Sequence, residues 1–310
     1  MAKVLYNMYV EKDRTDVCVI GGASIDIFGS STSRIIPEDS NIGTITYCFG
    51  GVGRNIANNL SKLGIDVELI CVLGNDDNAK RIIEHCKQEN IGLNHYLKVD
   101  KPSASYLSIN QPEGDIYVAI ADMSINDCLT KDFLNKHLEF INSCKVIVLD
   151  TNLSTETFEY MLSKITTTIY VDPVSGKKAM KLPNDLTKVT AIKPNLLEAK
   201  TILKKDGKKQ ELVNGLLDKG IKEVYLTLGS EGVISSNKEE CLKVANYPGN
   251  IVNTTGCGDA FLAGIIYGEL KEVDLLRKTQ FGLAAASICC RSLGSISEYL
   301  NEEELIKIVR

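Results

Sequence analysis

Short β-branched runs alternate with longer segments of helical periodicity, and this alternation constrains the fold more than any other feature of the chain. Val17 to Ile20, Val67 to Val72, Val146 to Leu149, Thr168 to Val171 and Glu223 to Thr227 read as strands. Between them Ile56, Leu60 and Leu63 recur at helical spacing after Gly53, as do Ile82, Ile83 and Cys86 in the stretch from Asn78. Strands joined by crossover helices predict βαβ units, hence an α/β fold with a mostly parallel sheet. Two regions break the rhythm, Ile35 to Cys48 and Tyr96 to Ile120, where β-rich pieces flank Lys101-Pro102 and Gln111-Pro112-Glu113-Gly114. They predict hairpins outside the main sheet, which either close over a ligand crevice as a lid or form an ordinary surface excursion. A polar amphipathic helix is expected over Ser297 to Arg310.

Composition narrows the class of function. No apolar run approaches the roughly 20 residues of a membrane span. A net charge of −5 without a basic block gives no electrostatic reason to bind nucleic acid. Residues Met1 to Asp16 lack the apolar core of a secretory signal and read as an extension before the first strand. The ten cysteines are scattered without C-x-x-C spacing, as expected of free thiols in a reducing cytoplasm. His85, His95 and His137 lie in charged or polar stretches and read as surface residues.

The segment with the most specific chemistry is Asn253-Thr254-Thr255-Gly256-Cys257-Gly258-Asp259-Ala260-Phe261, a Gly-rich turn that opens an apolar helix over Ala260 to Tyr267. A helix start presents unpaired N–H groups and the positive end of the macrodipole, so Gly256, Cys257 and Gly258 can hold phosphate oxygens through their backbone. Asp259 at the edge of that turn can accept the proton of an attacking hydroxyl, or it can simply cap the helix.

Asn253 to Asp259 is similar to the signature of the ribokinase-like (PfkB) carbohydrate kinases, in which this aspartate is the general base. The other signature of that family is matched by Gly50-Gly51-Val52-Gly53-Arg54-Asn55-Ile56-Ala57, which alone would read as a tight strand-to-helix turn. The resemblance covers roughly Val17 to Ile308. It implies a three-layer α/β/α sandwich formed by one domain over 17–310, after an extension at 1–16, with small β-rich lid strands inserted at about 33–48 and 96–120. It also implies ATP as donor, Mg²⁺ with the nucleotide, and a sugar or nucleoside as acceptor. Dimers are frequent in the family, and lid strands offer edges on which two chains can pair.

The resemblance assigns further residues. Asp26 takes the place of the sugar-hydroxyl acceptor, with Gly50, Gly51, Arg54 and Asn55 beside the sugar. Lys193-Pro194-Asn195-Leu196-Leu197-Glu198 resembles the N-x-x-E segment, where Asn195 and Glu198 organise phosphates and, indirectly, Mg²⁺; by itself it reads as a capped helix start. Thr227-Leu228-Gly229-Ser230-Glu231-Gly232 resembles the nucleotide-contacting turn, and is otherwise a plain hairpin. A monovalent cation often sits beside the phosphate-binding helix in this family. Here Asn253 replaces the usual aspartate, leaving Asn253, Thr255 and the loop Arg291 to Ser297 as oxygen donors for K⁺.

Within the family, Asp39-Ser40-Asn41, Arg54, Ala119 to Met123 and Val171 to Ser175 resemble the pseudouridine kinase branch. Pseudouridine carries an extra N1–H donor, which an acceptor such as Asp122 could read; Asp122 could equally stabilise a loop. A kinase of ribose or another sugar, and a sugar-sensing protein without turnover, are the alternatives.

Overall fold

The computed structural model describes residues 15–310, so the expected extension at 1–16 lies almost wholly outside them. Numbered along the chain, the strands are β1 (Val17–Ile20), β2 (Ser24–Ser31), β3 (Gly43–Gly50), β4 (Val67–Ile70), β5 (Val72–Leu73), β6 (Leu97–Lys98) and β7 (Ser105–Asn110). They continue as β8 (Ile116–Asp122), β9 (Val146–Asp150), β10 (Thr168–Asp172), β11 (Ala191–Ile192), β12 (Glu223–Thr227), β13 (Val233–Ser236) and β14 (Cys241–Val244).

Eight strands form one sheet in the order β14-β13-β12-β11-β10-β9-β1-β4. Its pairings are parallel from β12 to β4, and β13 and β14 add an antiparallel edge. The two-residue period of a strand sends alternate side chains into two separate cores. Val17, Val19, Val146 and Val148 pack with Ile56, Leu60, Ile265 and Leu283 on one face. Cys18, Ile20, Ile147 and Leu149 pack with Phe158, Met161, Ala199 and Leu216 on the other. Strands buried on both faces read as continuous apolar runs, which is why they stood out in the sequence. The result is the three-layer α/β/α sandwich expected. Among the described residues no helix is long and apolar enough to cross a membrane.

A second, four-stranded sheet has the order β3-β2-β7-β8. It differs from the expected pair of hairpins in two ways. Its central strand β2 continues directly from β1, and β2 pairs in parallel with β7 across some 80 residues of chain. Leu97 and Lys98 instead pair with β5 in a separate two-stranded ribbon. The three histidines are half-buried in aromatic packing rather than on the open surface: the His85 ring stacks on Phe49 at 3.9 Å, and His95 on Phe140 at 4.0 Å.

The two sheets meet at the carboxylate of Asp150, fully buried at the end of β9. Its Oδ2 accepts from the N–H of Gly22 (2.9 Å), the N–H of Gly53 (3.1 Å) and Asn152 Nδ2 (2.8 Å). One side chain therefore ties the β1–β2 junction to the first turn of the Val52–Lys62 helix, whose N-cap Gly51 supplies no side-chain cap. Asp150→Ala would leave the buried N–H groups of Gly22, Gly53 and Asn152 without this acceptor, at about 1–3 kcal/mol each. A loss of about 3 kcal/mol or more in the urea unfolding free energy, with little change in slope, is expected.

Candidate active site

The Gly-rich turn opens the helix Cys257–Leu270. Its N-cap Gly256 has φ +79°, and a Cβ there would lie 2.0 Å from the Ser295 carbonyl oxygen, so only glycine fits. No side chain caps this helix end; the Cys257 N–H donates at long range to the Thr254 carbonyl oxygen (3.3 Å), and the uncapped end still presents amides to a ligand. A Cβ on Gly258 would stand 2.9 Å from Lys193 Nζ, so an ammonium group hangs directly over the turn.

Asp259 is buried, and its Oδ2 accepts from Asn55 Nδ2 at 2.8 Å. It is not a cap: the N-cap is Gly256, and the Asp259 carboxylate reaches across to the other Gly-rich segment. Arg54, also buried, donates to the Phe49 carbonyl oxygen and to Asn55 Oδ1, which turns the Asn55 amide so that its N–H₂ faces Asp259. Burial, then the Asp172 charge, pushes the Asp259 carboxyl up to about 7, against the opposing pull of Lys193, Asn55 and Arg54. A base with that affinity is ionised just above neutral pH and still holds a proton well.

Sequence reasoning assigns no role to Lys193. Its Nζ lies 3.1 Å from Asp172 Oδ2, and both are buried. Burial alone would lower its pKa, but Asp172, Asp259 and Glu198 outweigh that and hold it above the ordinary lysine value. A fixed cation thus faces the place where phosphoryl charge would develop. No local pattern marks it, because Asp172 and Asp259 come beside it only in the fold.

Asp26 lies near the start of β2, half-buried, accepting from Ser24 Oγ at 2.9 Å. A Cβ on Gly50 would fall 2.3 Å from both its carboxylate oxygens, so glycine makes room for this acid. Directly opposite residues in a sheet share a face. Asp26 is opposite Cys48 on β3 and Tyr106 on β7, and Tyr106 is opposite Ala121 on β8. Asp122, paired with Ser105, therefore lies on the other face; it is exposed and accepts from Ser124 Oγ at 2.9 Å. The structure therefore does not bring Asp122 onto the face that carries Asp26. What shares Asp26's face is an aromatic pair, Phe28 and Tyr106, edge-to-face at 6.3 Å. Tyr106 lies in the stretch that reads merely as β-rich, and Phe28 lies in a segment with no strand pattern of its own.

A cavity of about 410 Å³ is lined by Asn195, Thr227, Gly229, Gly232 and Gly258, the turn residues expected to meet nucleotide. Tyr247, Phe261, Leu283 and Ala286 complete its apolar wall; Phe261 closes the Gly-rich segment, whereas no local motif marks Tyr247, Leu283 and Ala286. A larger depression of about 650 Å³ at Thr168, Thr190 and Lys222 lies at the opposite, N-terminal ends of the strands. Parallel sheets bind ligands at the carboxyl ends, where the first cavity is.

The model of the pfkB family carbohydrate kinases matches residues 14–302. The chain belongs to that family. It is 32% identical over 301 residues to the pseudouridine kinase of Escherichia coli, with 95% of each chain covered. It is 26% identical to the ribokinase of Haemophilus influenzae, covering 96% of this chain and 99% of that one. The solved structure of Arabidopsis thaliana ribokinase with ribose and ATP superposes with a TM-score of 0.86 at 20% identity, over 96% of this chain and 99% of that one, and so shares its fold. The protein is an ATP-dependent kinase of small sugar or nucleoside acceptors.

Two assignments carried by the family resemblance look different in detail. Asn195 and Glu198 form a complete capping box: Asn195 Oδ1 accepts from the Glu198 N–H (2.9 Å), and Glu198 Oε2 from the Asn195 N–H (2.9 Å). Carboxylate oxygens keep further lone pairs, so this set still fits Mg²⁺ held through water. Asn253 fits K⁺ poorly. Its Nδ2 donates to the Leu293 carbonyl (2.7 Å) and its Oδ1 accepts from the Thr255 N–H (3.0 Å), so the amide itself ties the two loops and brings no negative charge.

Asp259→Asn should lower kcat by about 10²–10⁴-fold, and parent kcat/KM should rise through an acidic limb near pH 7. The folded state holds the Asp259 proton up to about pH 7, whereas the unfolded chain releases it near 3.8. Stability from this site is therefore lost as pH rises between those values. The variant should melt no lower than the parent at pH 8, the reverse of what loss of a helix cap would give.

Proposed function

We propose that the chain phosphorylates the 5′-hydroxyl of pseudouridine with ATP, giving pseudouridine 5′-phosphate and ADP. The observation that carries a nucleoside acceptor is the Phe28–Tyr106 pair on Asp26's face of the lid: an aromatic wall beside a hydroxyl-binding acid suits a ribosyl group carrying a base. The relative at 32% identity over nearly full length supports pseudouridine among nucleosides.

In this reading Asp26 accepts hydrogen bonds from ribose hydroxyls and the aromatic pair packs on the base. Asp259, held by Asn55, takes the 5′-hydroxyl proton as the oxygen attacks. The amides of residues 256–258 and the Lys193 ammonium take up charge on the transferred phosphoryl group, and positioning supplies most of the rate. Mg²⁺ accompanying the nucleotide would neutralise phosphate charge, with Glu198 holding it through water. The opposite face of the lid exposes Ile45, Tyr47, Leu107, Val118 and Ile120, an apolar surface that a second copy of the chain would cover. A cytoplasmic setting suits ATP and free thiols.

ADP release should be selective for pseudouridine over uridine, ribose, adenosine and fructose. A preference for ribose would sink the substrate while keeping the mechanism. Tyr106→Ala should raise KM for pseudouridine about tenfold or more, since stacking on a base is worth about 1–3 kcal/mol, and should alter any ribose turnover far less. Asp122→Ala should leave the pseudouridine to uridine ratio unchanged. Replacing KCl by choline chloride should change the rate less than about twofold, because Asn253 adds no charge to a cation site.

A further inference from the structure

Three of the ten cysteines, Cys257, Cys289 and Cys290, converge on the phosphate-binding turn, although the sequence separates the first from the others by more than 30 residues. Cys257 is the first residue of the helix that carries Asp259, and it stands between Gly256 and Gly258. Cys290 ends the neighbouring helix Leu275–Cys289. Their Sγ atoms are 2.7 Å apart. The backbone around them is already joined, because the Cys290 carbonyl accepts from the N–H of Val252 (2.8 Å) and of Asn253 (3.2 Å). Both residues line the nucleotide cavity, so a small oxidant has a path to them. Cys289 is buried, and its thiol faces the carbonyls of Thr255 and Ser295.

We propose that Cys257 and Cys290 form a reversible dithiol–disulfide pair, and that the oxidised form turns over more slowly. The sulfurs need to close by only about 0.7 Å to reach the roughly 2.05 Å of a disulfide bond. With a low-molecular-weight disulfide as oxidant, one cysteine thiolate attacks an oxidant sulfur and expels one oxidant thiolate, forming a mixed disulfide. The second cysteine thiolate attacks the bound cysteine sulfur and expels the other. The two cysteine protons end on the two released thiols, so two thiols are oxidised and one disulfide is reduced. Closing the bond draws the first residue of the helix toward Cys290 and fixes the residue 256–258 amides, where displacements well under 1 Å matter to catalysis.

Contact with Cys289, then burial, raises the Cys257 thiol, and burial, then Cys257, pushes Cys290 up to about 12. The pair therefore rests as thiols at neutral pH. The thiolate fraction, and with it the rate of oxidation, should climb about tenfold per pH unit between pH 7 and 9.

The test incubates the reduced full-length protein with oxidised glutathione and follows peptide linkage by mass spectrometry alongside ADP release. Expected are a Cys257–Cys290 linkage without retained glutathione, a fall in kcat of tenfold or more, recovery with dithiothreitol, and protection by ATP occupying the cavity. In Cys290→Ala the ratio of oxidised to reduced activity should stay near one, while Cys289→Ala should still form the linkage and lose activity. A stable glutathione adduct without linkage, a linkage through Cys289 in the parent, or full activity in the linked protein would each overturn the proposal. The peptide map of the parent decides it even if a variant fails to fold.

Discussion

Everything that positions this site depends on the Asp150 carboxylate. A parallel sheet delivers its strand ends to one rim but does not fix what leaves them. Asp150 does so by accepting from Gly22 and Gly53 at once. It thereby sets where β2 departs, where the Val52–Lys62 helix begins, and so where Arg54 and Asn55 stand. Burial raises its pKa, and the hydrogen bonds from Gly22 and Asn152 oppose that shift. The ionised form therefore exists in the core only because of those donors.

From there the charges form one connected set. Arg54 orients Asn55, Asn55 holds Asp259, and Asp259 shares the field of Lys193 and Asp172. Two acids and two bases compressed at strand and helix ends would be costly singly, yet each is offset by a neighbour. The residual imbalance falls on Asp259, which ends with the raised proton affinity that its proposed role as base calls for.

The fold was legible because buried parallel strands announce themselves: each of the five apolar runs holds a strand of the main sheet, although the run from Val67 to Val72 ends that strand at Ile70 and gives Val72 to the β5–β6 ribbon. Asp259 and the glycines about it were legible because a turn with no room for a Cβ admits few residues. The four-stranded sheet was only partly so. A strand such as Ser24–Ser31, polar on one face and lightly buried, leaves a weak pattern, and its partner β7 is far away in sequence. Asp122 looked suitable by residue type, but a strand's two faces differ by one residue of register, which no unpaired sequence states. Lys193 and the Phe28–Tyr106 pair acquire meaning only from what the fold sets opposite them, and so does the Cys257–Cys290 contact.

The four-stranded sheet resembles a cantilever. β2 is clamped at Gly22 by Asp150, and it runs outward to a loop whose residues are mostly exposed. A beam held at one end deflects least near the clamp and most at its tip. Asp26, four residues from the clamp, belongs to the stiff root, and Phe28 lies further out along the same strand. In the proposed reading, a nucleoside lying along this beam would meet a rigid grip at its sugar and a more compliant one at its base. Recognition of the sugar would then be set by position, and recognition of the base by how much the outer strands yield.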